Sequence, residues 1–155
     1  MLTKIGKHGI LTLLLVFAGV FAVPDVLADN LVKCKVLTIE ATNDSSGVPL
    51  SLNAYASIFR QKPFDAYSGF RLVDTQEYSL KLNTQLQLVL PDQLSGTLLY
   101  KGKLTNHQLQ LTLSLGKADN QPIIIDGTAT SGTPFLAAGF KSPSGRWIFA
   151  VKCSE

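Results

Sequence analysis

The sequence predicts an all-β fold: an antiparallel β-sandwich, or alternatively a small barrel, of about eight strands with one short helix. Two observations predict the sheets. Apolar and polar residues alternate along several segments, which is typical of strands with one buried face, and clusters of turn-forming residues separate these segments. A third observation, helical spacing in one segment, predicts the helix. The length of 155 residues suits a single domain.

Residues 1–28 have the features of a cleaved signal peptide. Lys4 and Lys7 make the start positive, residues 10–23 are uncharged and apolar, and Val26 and Ala28 stand three residues and one residue before the expected cleavage point. An uncleaved membrane anchor is the alternative. It is disfavoured because the apolar run spans about 21 Å as a helix, whereas the hydrocarbon core of a bilayer is roughly 30 Å thick.

Cleavage would leave residues 29–155 as one β-sandwich domain, periplasmic or secreted. It removes Lys4, Lys7 and Asp25, so 12 of the 14 basic and 10 of the 11 acidic residues remain, with a formal charge of +2. Such a balance gives no indication of a nucleic-acid partner, and no second apolar segment is long enough to cross a membrane as a helix. The density of Leu, Ile, Val and Phe excludes intrinsic disorder.

Strands are predicted along most of the mature domain. The leucines of residues 76–90 lie at even positions and those of residues 109–115 at odd positions, with polar residues between them, so each strand has one wet face, as antiparallel sheets commonly do. The predicted strands are residues 31–40, 70–74, 76–90, 97–104, 109–115, 123–130, 134–140 and 146–153.

One segment, residues 51–61, has the spacing of a helix instead. Its apolar residues recur every three or four positions, Ser51 is a candidate N-cap, and Pro63 follows its end. We expect this apolar stripe to cover an open end of the sheets. The stripe consists of Leu52, Tyr55, Ile58 and Phe59.

The mature domain has two cysteines, Cys34 and Cys153, which lie 119 positions apart. An even number of cysteines in an exported chain favours a disulfide, and this one would join the first strand to the last. The alternative is a redox-active or metal-binding pair. The sequence lacks the C-x-x-C spacing and the supporting histidine that such a site needs.

Catalytic motifs are poorly represented. His107 is the sole histidine of the mature domain and lies in a predicted turn, so neither a Ser-His-Asp triad nor a histidine-rich metal site has its parts in good order. Asp74 and Glu77 could act as an acid–base pair if they converged in a cleft. The alternative is that Asp74 caps a turn and Glu77 lies on the wet face of a strand. We expect no cofactor and no metal.

Aromatic residues and cations are interleaved in the segment FRQKPFDAYSGFR and recur around a later loop. Such surfaces can recognise a sugar, a peptide or another subunit. The alternative is that the rings pack the helix onto the sheet. The candidate binding residues are Phe64, Tyr67, Phe70 and Arg71 in the first segment, and Lys141 and Arg146 near the second.

The runs KVLTIEATNDSSGVPLSL, KPFDAYSGFRLVD, LQLVLP, PFLAAGF and GRWIFAV resemble, in order and pattern, a set of small exported bacterial β-domain proteins with no assigned activity. The resemblance extends from about residue 35 to residue 151. It implies export and a shared β fold, and it carries over no site residue.

The sequence therefore favours an exported, non-catalytic envelope protein that acts as a protein-binding or structural module. Its partner would be another envelope protein, and an exposed sheet edge that accepts a partner strand is the expected mechanism. The alternative is a module that binds a glycan or small ligand through the aromatic residues. A hydrolase based on carboxylates is the third possibility.

Overall fold

The computed structural model describes residues 31–105, 107–117 and 120–155, so the predicted signal peptide and its boundary at residue 28 lie outside the described residues. The strands are β1 (Val32–Thr42), β2 (Gly69–Leu80), β3 (Gln85–Val89), β4 (Leu94–Thr105), β5 (Gln108–Lys117), β6 (Ile123–Thr130), β7 (Pro134–Lys141) and β8 (Gly145–Ser154). A 3₁₀ helix (Leu50–Tyr55), the α-helix α1 (Ala56–Phe59) and a second 3₁₀ helix (Phe64–Ala66) connect β1 to β2. No helix among the described residues is long and apolar enough to span a bilayer.

The described strands form two four-stranded antiparallel sheets that pack face to face. The first sheet has the order β2-β1-β8-β7, and the second is the meander β3-β4-β5-β6. The prediction of an all-β sandwich of eight strands is thus confirmed over this part of the chain. The chain enters through the first sheet, builds the second sheet, and returns to the first with its last two strands.

The main core lies between the sheets and follows the alternation of the sequence. Trp147, Phe149 and Val151 of β8 face the leucines of β4 and β5, and all three are buried. Cys34 and Cys153 occupy directly opposite positions of β1 and β8 and are joined by a disulfide with an S–S distance of 2.03 Å. The predicted disulfide is present, and both cysteines face the core as the strand phase indicates.

A second core lies on the outer face of the first sheet. Residues 50–66, here called the helical layer, cover part of this face, where Phe59 stacks on Phe70 with ring centroids 4.1 Å apart. The expectation that the segment covers an open end of the sheets is therefore wrong. The reason lies in β1, whose outward-facing residues are also apolar from residue 37 onwards, so that both faces of this part of the strand must be covered. These residues are Leu37, Ile39 and Ala41.

Two predicted elements differ from the observed ones. The predicted helix is divided into a 3₁₀ helix and a single turn of α-helix, with Pro49 rather than Ser51 at the N-cap. The predicted strand 76–90 is interrupted, because Asn83 adopts a left-handed conformation with φ of 55°. The predicted strand 76–90 thus corresponds to the end of β2 and the whole of β3. The two strands belong to different sheets but face the same core, so Leu80 and Leu88 on either side of the turn are buried, while Leu82 in the turn is 55% exposed.

Candidate functional site

The predicted aromatic residues lie largely inside the protein. Phe64 and Phe70 are 8% and 5% exposed, and Phe59 contacts both rings. Tyr67 is half-buried against the same cluster. A sugar-binding surface needs ring faces that solvent can reach, and this cluster uses its ring faces to hold the helical layer on the sheet.

The predicted cations do not form one site. Strand pairing places Lys141 directly opposite Arg146, and Arg146 donates from its guanidinium to the carbonyl oxygen of Gly139 at 2.7 Å. Arg71 is turned to the inner face of the same sheet, where it forms an ion pair with Glu40. Lys141 and Arg146 therefore lie on the outer face of the sheet and Arg71 on its inner face.

Glu40 is a carboxylate with 0% exposure at one end of the inner core. Ser142 donates its hydroxyl to Oε1 at 2.6 Å, the backbone N–H of Ser144 donates to the same oxygen at 3.1 Å, and Arg71 donates to Oε2. Burial acts to raise the pKa of Glu40, but the hydrogen bonds from Ser142, Arg71 and Ser144 outweigh it and hold the pKa below its ordinary value. Glu40 is a charged anchor for the β7–β8 hairpin, with no proton to donate near neutral pH.

The predicted carboxylate pair does not converge. Asp74 and Glu77 project from opposite faces of β2 because they are three positions apart, with no break in register between them beyond the bulge near Val73. Asp74 accepts hydrogen bonds from the N–H of Thr75 and from Gln76, and Glu77 forms an ion pair with Lys35 at 2.9 Å. The hydrogen bond from Lys35 lowers the pKa of Glu77, whereas a general acid would need a raised one.

No metal site is formed by the described residues, where no three His, Cys, Asp or Glu side chains cluster. His107 is exposed in the turn between β4 and β5.

Three of the edge strands have features that discourage pairing with another chain. β2 contains a bulge near Val73 and carries charged side chains along its length. β3 has only five residues. β7 begins at Pro134 and contains a bulge between Ala138 and Lys141. At this bulge the carbonyl oxygen of Gly139 already accepts a hydrogen bond from Arg146.

The fourth edge strand, β6, lacks these features. It pairs with β5 without a break in register from Ile123 to Thr130, and residues 123–130 contain no proline, lysine, arginine or glutamate. The one charged residue of this strand, Asp126, forms an ion pair with Lys101 at 2.8 Å and accepts a hydrogen bond from the hydroxyl of Thr112. Ile123 and Ile124 are 50% and 63% exposed. β6 thus presents a regular edge of eight residues to solvent, and the first three of them are apolar.

The core is incompletely covered beside β6. By the register with β5, Ile123, Ile125 and Gly127 face the inner side of the sheet, yet Ile125 is only half-buried and a Cβ on Gly127 would meet no atom within 4 Å. Phe135 and Phe140 of β7 are half-buried on the same side of the sandwich. These five residues are here called the open flank.

The opposite side of the sandwich is bridged by a side chain. The side-chain amide of Gln76 in β2 donates to the carbonyl oxygen of Val89 in β3 at 2.8 Å, so a hydrogen bond connects the two edge strands there. Tyr78 and Leu86 beneath it are half-buried against the core, as the residues of the open flank are, but on that flank no such side-chain bond is found between the described residues of β6 and β7. The asymmetry between the two sides makes β6 and the open flank the candidate functional site.

Comparison of this chain with protein-family models, with curated proteins and with solved structures finds no match. The sequence predicts that an exposed sheet edge binds the partner, but it does not indicate which edge. A signal was present in residues 123–130, where three consecutive isoleucines interrupt the alternation and no charged residue other than Asp126 protects the strand.

Proposed function

We propose that this protein is an exported, non-catalytic binding module that accepts an extended segment of another envelope protein as an additional strand along β6. The observation that carries the proposal is the combination of an unprotected edge with an uncovered flank of the core. Strand addition obtains affinity from backbone hydrogen bonds and specificity from pockets for alternate side chains, and β6 and the open flank offer both.

The geometry specifies the kind of segment that would bind. A strand beside β6 would direct every second side chain towards the core, next to Ile125, Phe135 and Phe140. The empty space at Gly127 allows a bulky side chain of the partner to enter between the sheets. The segment should therefore carry β-branched or aromatic residues at alternate positions over six to eight residues or so.

Location outside the cytoplasm is part of the same proposal. The Cys34–Cys153 disulfide is the kind of bond that persists in oxidising compartments, and the predicted signal peptide would direct the chain there. The sequence resemblance to small exported bacterial β-domain proteins is consistent with this location.

The test is site-specific photocrosslinking in intact cells that export the protein. Benzoylphenylalanine in place of Ile124 on β6 should give one discrete adduct, whereas the same group in place of Val89 on β3 should not. Both positions are exposed apolar residues of edge strands, at 63% and 73%, so they form a matched pair. The crosslinked peptide, identified by mass spectrometry, should come from an extended segment with alternating apolar residues.

A synthetic peptide copied from that segment then gives the decisive measurement. Its binding should slow hydrogen exchange at the backbone amides of β6 and leave those of β2 and β3 unchanged. Ile123→Lys should abolish this protection, because an inward-pointing charge at a strand edge opposes pairing, and Val89→Lys should not. Equal crosslinking from both positions, or an adduct of two copies of this chain, would refute the proposed partner.

A further inference from the structure

A second surface of the protein carries uncompensated positive charge. An open groove of about 440 Å³ lies on the outer face of the first sheet, beyond the part that the helical layer covers. Its lining comes from β1, β2 and β8, and Tyr55 at the edge of the helical layer interacts electrostatically with Lys35. This lysine groove is defined by Lys33, Lys35, Glu77, Ser79, Lys152 and Ser154. It lies on a different sheet from β6 and does not depend on the function proposed above.

Strand register arranges these side chains in two rows across three neighbouring strands. In the first row, Lys33 is directly opposite Ser79 on one side and Ser154 on the other. In the second row, Lys35 is directly opposite Glu77 on one side and Lys152 on the other. Opposed residues have Cβ atoms about 5 Å apart and point to the same face, so the polar groups of both rows converge above the groove.

The charges in the groove do not balance. Lys35 and Glu77 form an ion pair at 2.9 Å, which neutralises one lysine, and Glu77 is the one acid that lines the groove in the described part of the chain. Lys152 then faces Lys35 with like charge, which disfavours the folded state when two such residues are directly opposite. Lys33 and Lys152 together leave about two positive charges.

We propose that the lysine groove binds a phosphate monoester. Such an ester carries a charge of about −1.5 to −2 near neutral pH and offers three acceptor oxygens, which matches the charge of Lys33 and Lys152. The hydroxyls of Ser79 and Ser154 flank Lys33 and can donate to the remaining oxygens or to hydroxyls of the esterified group. The groove volume lies within the range of small-ligand sites, about 300 to 1,000 Å³, so it has room for a sugar or glycerol moiety as well.

The first measurement uses glycerol 3-phosphate as the probe, by calorimetry and by thermal melting, against sodium chloride at equal ionic strength and against glycerol. We expect saturable binding and a rise in Tm with the phosphate alone. Lys33→Gln and Lys152→Gln should each weaken binding by at least about tenfold, because each removes a charge-assisted hydrogen bond. Lys141→Gln is the matched control: it removes the same charge from the same sheet, roughly 20 Å away along the strands, and should bind as the wild type does.

A second measurement separates a binding site from general electrostatic attraction. Without ligand, Lys152→Gln should melt at a higher temperature than the wild type, because it removes the repulsion with Lys35, while it binds phosphate more weakly.

Vesicles that contain phosphatidic acid provide the other source of the same phosphate group, with phosphatidylcholine vesicles as the control. Binding of glycerol 3-phosphate supports a soluble ester, and binding of the acidic vesicles alone supports a lipid headgroup. Binding of neither probe above the controls, or equal losses in Lys141→Gln and Lys152→Gln, would overturn the proposal.

Discussion

Ser142 donates its hydroxyl to Oε1 of Glu40 at 2.6 Å although 102 positions separate the two residues. This bond ties the β7–β8 hairpin to the central strand β1, and the ion pair between Glu40 and Arg71 extends the connection to β2. The buried carboxylate of Glu40 in β1 thus connects the turn before β8 with β1 itself and with β2.

Glu40→Ala should reduce the free energy of unfolding by about 2–3 kcal/mol. The variant leaves the hydroxyl of Ser142 and the N–H of Ser144 without their acceptor. The loss of stability is smaller than for a fully buried ion pair, because the Arg71 side chain is 66% exposed. Urea unfolding gives the value. Glu77→Ala is the control, since Glu77 pairs with Lys35 on the exposed face, and a loss as large as that of Glu40→Ala would contradict the role of burial.

The same carboxylate should make stability depend on pH. The folded-state pKa of Glu40 lies below its ordinary value of 4.5, so the unfolded chain binds the proton more readily. The stabilisation is therefore fully present above the ordinary pKa and is lost as pH falls through the folded-state pKa. Urea midpoints from about pH 7 to about pH 2.5 should fall more steeply for the wild type than for Glu40→Gln. Parallel curves for the two proteins would exclude this role of Glu40.

Strand phase could be predicted from the sequence because it depends on local alternation. Cys34 and Trp147 face the core as their neighbours indicate, and the disulfide follows once both cysteines are placed on inner faces of the first and last strands. The helical layer was placed wrongly because its position depends on the outward side of β1. The apolar character of that side is visible in the sequence at Leu37 and Ile39, which alternate with residues of the inner face. It indicates a covering layer only when both faces of the strand are considered together.

The candidate site could not be predicted because it depends on topology. Phe64 and Phe70 are aromatic residues near cations in the sequence, but in the fold both rings are buried in the core between the helical layer and the first sheet. β6 is an edge strand only because β7 returns to the other sheet. No local property of residues 123–130 encodes that return, although their lack of protective charges is visible in the sequence alone.

Reduction of the disulfide should lower Tm by more than about 10 °C. The bond between Cys34 and Cys153 closes a loop with a separation of 119 residues, for which the chain-entropy model gives about 4 to 5 kcal/mol, and each kcal/mol shifts the Tm of a domain of this size by several degrees or so. Both cysteines are buried, so reduction has to be verified by thiol titration under mild denaturation. The double variant Cys34→Ala/Cys153→Ala should melt like the reduced protein. An unchanged melt after verified reduction would show that packing alone holds β1 and β8 together.

Two glycines should respond to alanine in opposite ways. A Cβ on Gly127 in β6 would meet no atom within 4 Å, whereas a Cβ on Gly145 at the start of β8 would lie 2.0 Å from the carbonyl oxygen of Ala41. Gly127→Ala should leave stability unchanged or raise it by about 0.5 kcal/mol, because alanine restricts the unfolded chain, and Gly145→Ala should destabilise the protein by more than about 2 kcal/mol. Urea unfolding of the two variants checks both values. If Gly127→Ala proved as destabilising as Gly145→Ala, the space beside β6 would already be filled, and the open flank could not receive a partner's side chain.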